Sequence, residues 1–84
     1  MAQVTIYSTP VCPYCVRAKL LLKNKGVAYT EIDVTPAVER EKMIHRTGGK
    51  RSVPQIFIGD MHVGGSDDLY LLDQQGKLDG LLAS

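Results

Sequence analysis

Cys12 and Cys15 are the only two cysteines in the chain, and Pro13 and Tyr14 separate them. Thiols at that spacing support three chemistries: a reversible dithiol–disulfide couple, a static cross-link, or half of a metal site. A cross-link this short closes a tiny loop and constrains little of the unfolded chain. Zinc asks for four ligands, usually two such pairs. The only histidines, His45 and His62, fall on a charged helical stretch and in a short edge strand, with nothing to bring them to Cys12. The context favours redox use. A strand-like run precedes the pair, and Pro13 suits the first turn of a helix, where its missing N–H costs nothing. A helix N-terminus presents unpaired N–H groups and about half a positive charge. Cys12, at that start, is placed to ionise below the free-thiol value of roughly 8.5 and to act as a nucleophile. Cys15 lies one turn further in on the same face, within disulfide reach after small adjustments. It is expected to be less exposed and less ionised, so Cys12 attacks and Cys15 resolves.

The elements that hold this turn read in the order β-α-β-α-β-β-α. Residues 3–7 are rich in Val, Ile, Thr and Tyr and read as a strand. Residues 8–11 read as a loop. Ala18, Leu21, Leu22 and Lys25 follow Pro13 as a helical stripe, with the Lys stem along its edge, and Gly26 is placed to close the helix in a left-handed conformation. Residues 27–34 read as a second strand. Thr35 and Pro36 read as N-cap and first residue of a second helix running to about Thr47, broken by Gly48 and Gly49. Residues 54–58 and 61–63 read as a hairpin around Gly59-Asp60. After Gly64-Gly65, Ser66 or Asp67 caps a third helix that ends at Gly76, and Leu78, Leu81 and Leu82 suggest a last short one. The first two strands are expected to be parallel through a right-handed crossover, and the last two antiparallel. The result is an α/β fold, a four-stranded mixed sheet with helices on both faces.

At 84 residues the chain is read as one domain, 1–84. Its 44% hydrophobic and 23% charged residues are an ordinary globular balance. A formal net charge of +1 gives no bulk grip on nucleic acid or an anionic membrane. No stretch approaches the roughly 20 apolar residues of a membrane span. The start, Met-Ala-Gln-Val-Thr-Ile-Tyr, reads as a strand and not as a signal peptide, so a cytoplasmic monomer is expected.

Four blocks in this order and spacing resemble the dithiol glutaredoxins, best the short bacterial type, over nearly the whole chain. They are Tyr7 with Cys12-Pro13-Tyr14-Cys15; residues 52–58, Ser-Val-Pro-Gln-Ile-Phe-Ile; Gly64-Gly65-Ser66-Asp67-Asp68; and the helix of Leu69. The resemblance implies a thioredoxin-like fold and glutathione-dependent reduction of protein disulfides and glutathione mixed disulfides. It also implies a cis Val53-Pro54 bond, which would free the Val53 backbone to pair with a peptide-like ligand. From the residues alone Pro54 reads as an ordinary first strand residue.

The resemblance makes the Ser66 and Asp67 N–H groups the site for the γ-glutamyl carboxylate of glutathione, with the Asp67 side chain on its ammonium. A plain N-cap is the alternative reading of the same residues. Tyr14 is expected to flank the glutathione sulfur. Arg46, ahead of Lys50 and Arg51, is the first choice for the cation that holds the glycine carboxylate. Glutathione is thus the expected co-substrate, with no metal. The expected partners are disulfide-containing or glutathionylated proteins, ribonucleotide reductase among the candidates. Some members of the family hold a [2Fe–2S] cluster between two protomers. Here Pro13 stiffens the turn and the second cysteine competes, which argues against it. There are two departures. Many relatives carry Lys three residues before the first cysteine, where this chain has Thr9, so helix N–H groups carry more of the thiolate stabilisation. Some close relatives have a Cys where Ser66 stands, so this chain lacks a third thiol.

Overall fold

Eight elements appear in the computed structural model, which describes residues 2–83. They are β1 (Val4–Ser8), α1 (Pro13–Asn24), β2 (Tyr29–Asp33), α2 (Ala37–Arg46), β3 (Gln55–Ile58), β4 (Met61–Gly64), α3 (Ser66–Gln74) and α4 (Leu78–Ala83). The sheet order is β2-β1-β3-β4. β1 runs parallel to β2 and antiparallel to β3, and β4 closes the hairpin antiparallel to β3. The mixed four-stranded sheet expected from the sequence is therefore present.

The period-two alternation of strands divides the core in two. Val4 and Ile6 of β1 and Ile56 and Ile58 of β3 meet Ala18, Leu22, Leu69 and Leu78 from α1, α3 and α4. Tyr7 and Phe57 point the other way and meet Met43 of α2 and Val34. Helices thus cover both faces. The central position of β1 fixes the placement of the chemistry, because the strand buried on both sides leads into the Cys12 turn.

Several boundaries differ from the sequence reading, each for a local reason. β1 continues to Ser8, which pairs with Asp33 and is buried. Thr35 does not cap α2. Its N–H and hydroxyl both donate to the Asp33 carboxylate, at 2.9 and 2.7 Å, and Pro36 takes the cap position with extended backbone. The β3 strand starts at Gln55, since Pro54 has no N–H to donate to the sheet. Gly65, and neither Ser66 nor Asp67, is the N-cap of α3. Gly26 closes α1 with φ +70°, as its position suggested.

Candidate active site

Cys12 is the N-cap of α1. Its backbone is extended (φ −151°, ψ 101°), and its Sγ accepts a hydrogen bond from the Cys15 N–H at 3.1 Å. The sulfur does what a Ser or Asp oxygen does at an ordinary cap, and it thereby takes up one of the unpaired donors of the first turn. No acidic side chain stands in that turn to compete with a negative sulfur. Cys12 and Cys15 form a disulfide with Cα atoms 5.2 Å apart. Their exposures differ as expected. Cys12 is partly exposed, and Cys15 is fully buried at 0%. Of the two sulfur-bearing residues, Cys12 is the one open to solvent, and Cys15 is shielded behind it.

The Cys12 Sγ lies 3.9 Å from the Val53 carbonyl oxygen. The Val53-Pro54 bond is cis, in line with the resemblance and against the plain strand reading of Pro54. A groove of about 190 Å³ begins here. Tyr14 and residues 52–54 line one part, and Gly65, Ser66, Asp67 and Asp68 line the other. The 52–55 turn is braced from within, as the buried Gln55 amide donates to the Ser52 carbonyl at 2.9 Å. At the far end the Gly65 N–H donates to the Asp68 carboxylate at 2.9 Å. Glycine offers no side chain in return, so the opening N–H groups of α3 face the groove without a side-chain cap. The Ser66 hydroxyl is buried and has no hydrogen-bond partner among the described residues. A larger hollow of about 300 Å³ over Ala2, Val4, Val27 and Tyr29 carries neither sulfur nor a charged side chain, and we do not read it as the site.

The groove therefore brings together Tyr14, Val53, Pro54, Ser66 and Asp67 beside Cys12 and Cys15. It does not bring in Arg46. That guanidinium sits 3.8 Å from the centroid of the Phe57 ring and donates to the Tyr7 hydroxyl at 3.0 Å, on the α2 side of the sheet. Its spacing in sequence from the 52–54 turn gave no hint of this, because sheet order decides it. Lys50 and Arg51 are exposed next to Ser52, and the Arg51 carbonyl is held by Arg40 Nη1 at 2.7 Å. Ser52, Gly65 and Asp68 line the groove without having been singled out as site residues. The three-residue step from Gly65 to Asp68 is the usable signal for the last two. His62 stacks on Phe57, with centroids 4.8 Å apart, and its Nε2 lies 2.7 Å from the Gln55 amide oxygen. Among the described residues no group of three or more His, Cys, Asp or Glu could hold a metal ion.

A second polar cluster stiffens the approach to Cys12. The buried Ser8 hydroxyl donates to the Glu31 carboxylate at 2.6 Å, and Lys19 of α1 reaches the same oxygen at 2.9 Å. These two bonds, the serine first, hold the Glu31 carboxyl below its ordinary value. Strands β1 and β2 and helix α1 are thus tied together just before the loop to Cys12.

The comparisons with known proteins agree with this geometry. The glutaredoxin family model matches residues 4–63. Glutaredoxin 3 of Escherichia coli strain K12 is 54% identical over 83 residues, 98% of this chain and 99% of its own length. The solution structure of glutaredoxin from Brucella melitensis is 53% identical with a TM-score of 0.85, covering 98% of this chain and 89% of that one. The crystal structure of the buckwheat glutaredoxin–glutathione complex is 30% identical with a TM-score of 0.87, covering 98% of this chain and 77% of that one. With the thioredoxin-like sheet, the dithiol turn and these relatives in agreement, the chain belongs to the glutaredoxin family of glutathione-dependent thiol-disulfide oxidoreductases.

Proposed function

We propose that Cys12 is the attacking thiolate, that Cys15 is the resolving thiol, and that the groove beside them holds glutathione. One observation carries the reading: a partly exposed sulfur caps α1 beside Val53, and its partner sulfur is fully buried one turn further in. Backbone groups of Val53 pair with the cysteine part of glutathione. The N–H groups of Ser66 and Asp67 take the γ-glutamyl carboxylate, the unpartnered Ser66 hydroxyl offers a further polar contact, and the Asp67 carboxylate takes the ammonium. Tyr14 flanks the sulfur. Since Arg46 is stacked on Phe57, the glycine carboxylate falls to Lys50 or Arg51 beside Ser52.

With a glutathionylated client, the Cys12 thiolate attacks the glutathione sulfur. A Cys12–glutathione disulfide forms and the client sulfur leaves as a thiolate, which takes its proton from solvent. A second glutathione thiolate then attacks the bound glutathione sulfur. It releases glutathione disulfide and restores the Cys12 thiolate. With a protein disulfide, Cys12 attacks one client sulfur. Cys15 then attacks Cys12, the client leaves as a dithiol, and two glutathiones reduce the Cys12–Cys15 disulfide. The clients are disulfide-bearing or glutathionylated proteins, ribonucleotide reductase among the candidates. Residues 1–84 act as one domain in the cytoplasm. Among the described residues no helix is long and apolar enough to cross a membrane.

The test is a glutathione-coupled assay with both substrate types. Cys12→Ser is expected to abolish both activities. Cys15→Ser is expected to abolish reduction of protein disulfides and to keep deglutathionylation. If Cys15→Ser removes both or neither, the assignment of roles is wrong.

A further inference from the structure

The groove of about 190 Å³ opens beside the Cys12 sulfur, so a client protein attached to Cys12 lies across one of its rims. The two rims differ in chemistry. On the α3 side stand Asp67 and Asp68, both exposed. On the α1 side, Val11 is 93% exposed, Val16 56% and Leu20 54%. Cys12, Val16 and Leu20 are spaced i, i+4 and i+8, so the apolar side chains form a stripe that starts at the nucleophilic sulfur. Helix α1 contains no acidic residue. Two of its neighbouring cations are already paired, Lys19 with Glu31 and Lys25 with Asp73 and Asp79. Arg17 and Lys23 flank the stripe and enter no ion pair among the described residues. Arg17 lies over the Tyr70 ring at 5.1 Å, which holds its charge at the edge of the stripe.

We infer that this face of α1 is the docking surface for client proteins, and that it takes an acidic, apolar segment flanking the client cysteine. Apolar side chains of that segment cover Val16 and Leu20. Its carboxylates face Arg17 and Lys23, whereas the acidic α3 rim repels them. Charge complementarity of this kind acts mainly on encounter and on partner choice. The inference rests on Cys12 being the nucleophile and on the groove taking glutathione.

The experiment compares three substrates, with glutathione as reductant. Two are synthetic peptides closed by one intramolecular disulfide, one flanked by Leu and Asp residues and the other by Ser and Lys residues. The third is the mixed disulfide of glutathione with 2-mercaptoethanol, which is too small to reach the stripe. The wild-type protein is expected to reduce the acidic peptide about tenfold more efficiently in kcat/KM, a preference that shrinks as salt is raised. Lys23→Glu is expected to erase most of that preference. Leu20→Ser is expected to slow the acidic peptide by several fold, and both variants turn over the small mixed disulfide at the wild-type rate. Equal handling of the two peptides by all three proteins, with normal turnover of the small substrate, overturns the docking surface alone. Failure of the wild type on the small mixed disulfide overturns the glutathione reading and the docking surface with it.

Discussion

Gly64, the last residue of β4, is expected to be the least replaceable position beside the groove, through a coupling that can be measured. Its φ is +116°, and a Cβ placed there would overlap the Asp68 carboxylate, with the carboxyl carbon only 2.9 Å away. Gly64→Ala therefore carries two costs. The backbone conformation costs a side chain about 1–2 kcal/mol. Displacing Asp68 removes its hydrogen bond with the Gly65 N–H, worth about 1 kcal/mol as a cap. The sum is about 2–3 kcal/mol. Asp68→Ala alone loses only the cap, about 1 kcal/mol. In the double variant the cap has already gone, so Asp68→Ala is expected to add almost nothing to Gly64→Ala. Denaturant unfolding of the four proteins measures this, and in a domain of this size about 1 kcal/mol corresponds to roughly 4–8 °C in Tm. Additive losses would refute the reasoning, because they would mean that an alanine fits at position 64 without moving Asp68. Since Gly65 and Asp68 line the groove, the KM for glutathione is expected to rise in Gly64→Ala.

Arg46→Ala is expected to cost about 1–2 kcal/mol, from its contact with Phe57 and its bond to Tyr7, and to leave the KM for glutathione unchanged. A clear rise in that KM would return Arg46 to the glycine carboxylate. Acid stability tests the Ser8–Glu31–Lys19 cluster. The Glu31 carboxyl is held below its ordinary 4.5 in the folded state, so its contribution is present above that pH and is lost as pH falls through the depressed value. Glu31→Gln is expected to flatten the acid limb of stability measured by denaturant unfolding. At the other end, bonds to Asp73 and then Asp79 raise Lys25 above 10.5. Its contribution is present below 10.5 and is lost as pH rises through the raised value, so Lys25→Met is expected to flatten the alkaline limb.

The chemistry was legible in the sequence because its signals are local. Cysteine spacing, Pro13 at the start of a helix and the strand before it are all read within a dozen residues, and the structure has them as expected. The order of elements was legible for the same reason, since each strand and helix shows its own period. Competition between neighbours was harder to read. Thr35 looks like a cap, but the Asp33 carboxylate captures it first. Ser66 and Asp67 look like caps, but Asp68 reaches back to Gly65. Long-range placement was not legible at all. Arg46 is close in sequence to the 52–54 turn, yet β1 and β3 carry Tyr7 and Phe57 to its side of the sheet and hold it there. The contact of the Gln55 amide with His62 likewise depends on the β3–β4 pairing.

Titration of the Cys12 sulfur bears most directly on the account. In the reduced Cys15→Ser protein, thiolate absorbance and the rate of alkylation by iodoacetamide are followed against pH. The account predicts a common midpoint well below the roughly 8.5 of a free thiol, because the sulfur caps α1 and accepts the N–H of residue 15. A midpoint at or above that value would contradict it.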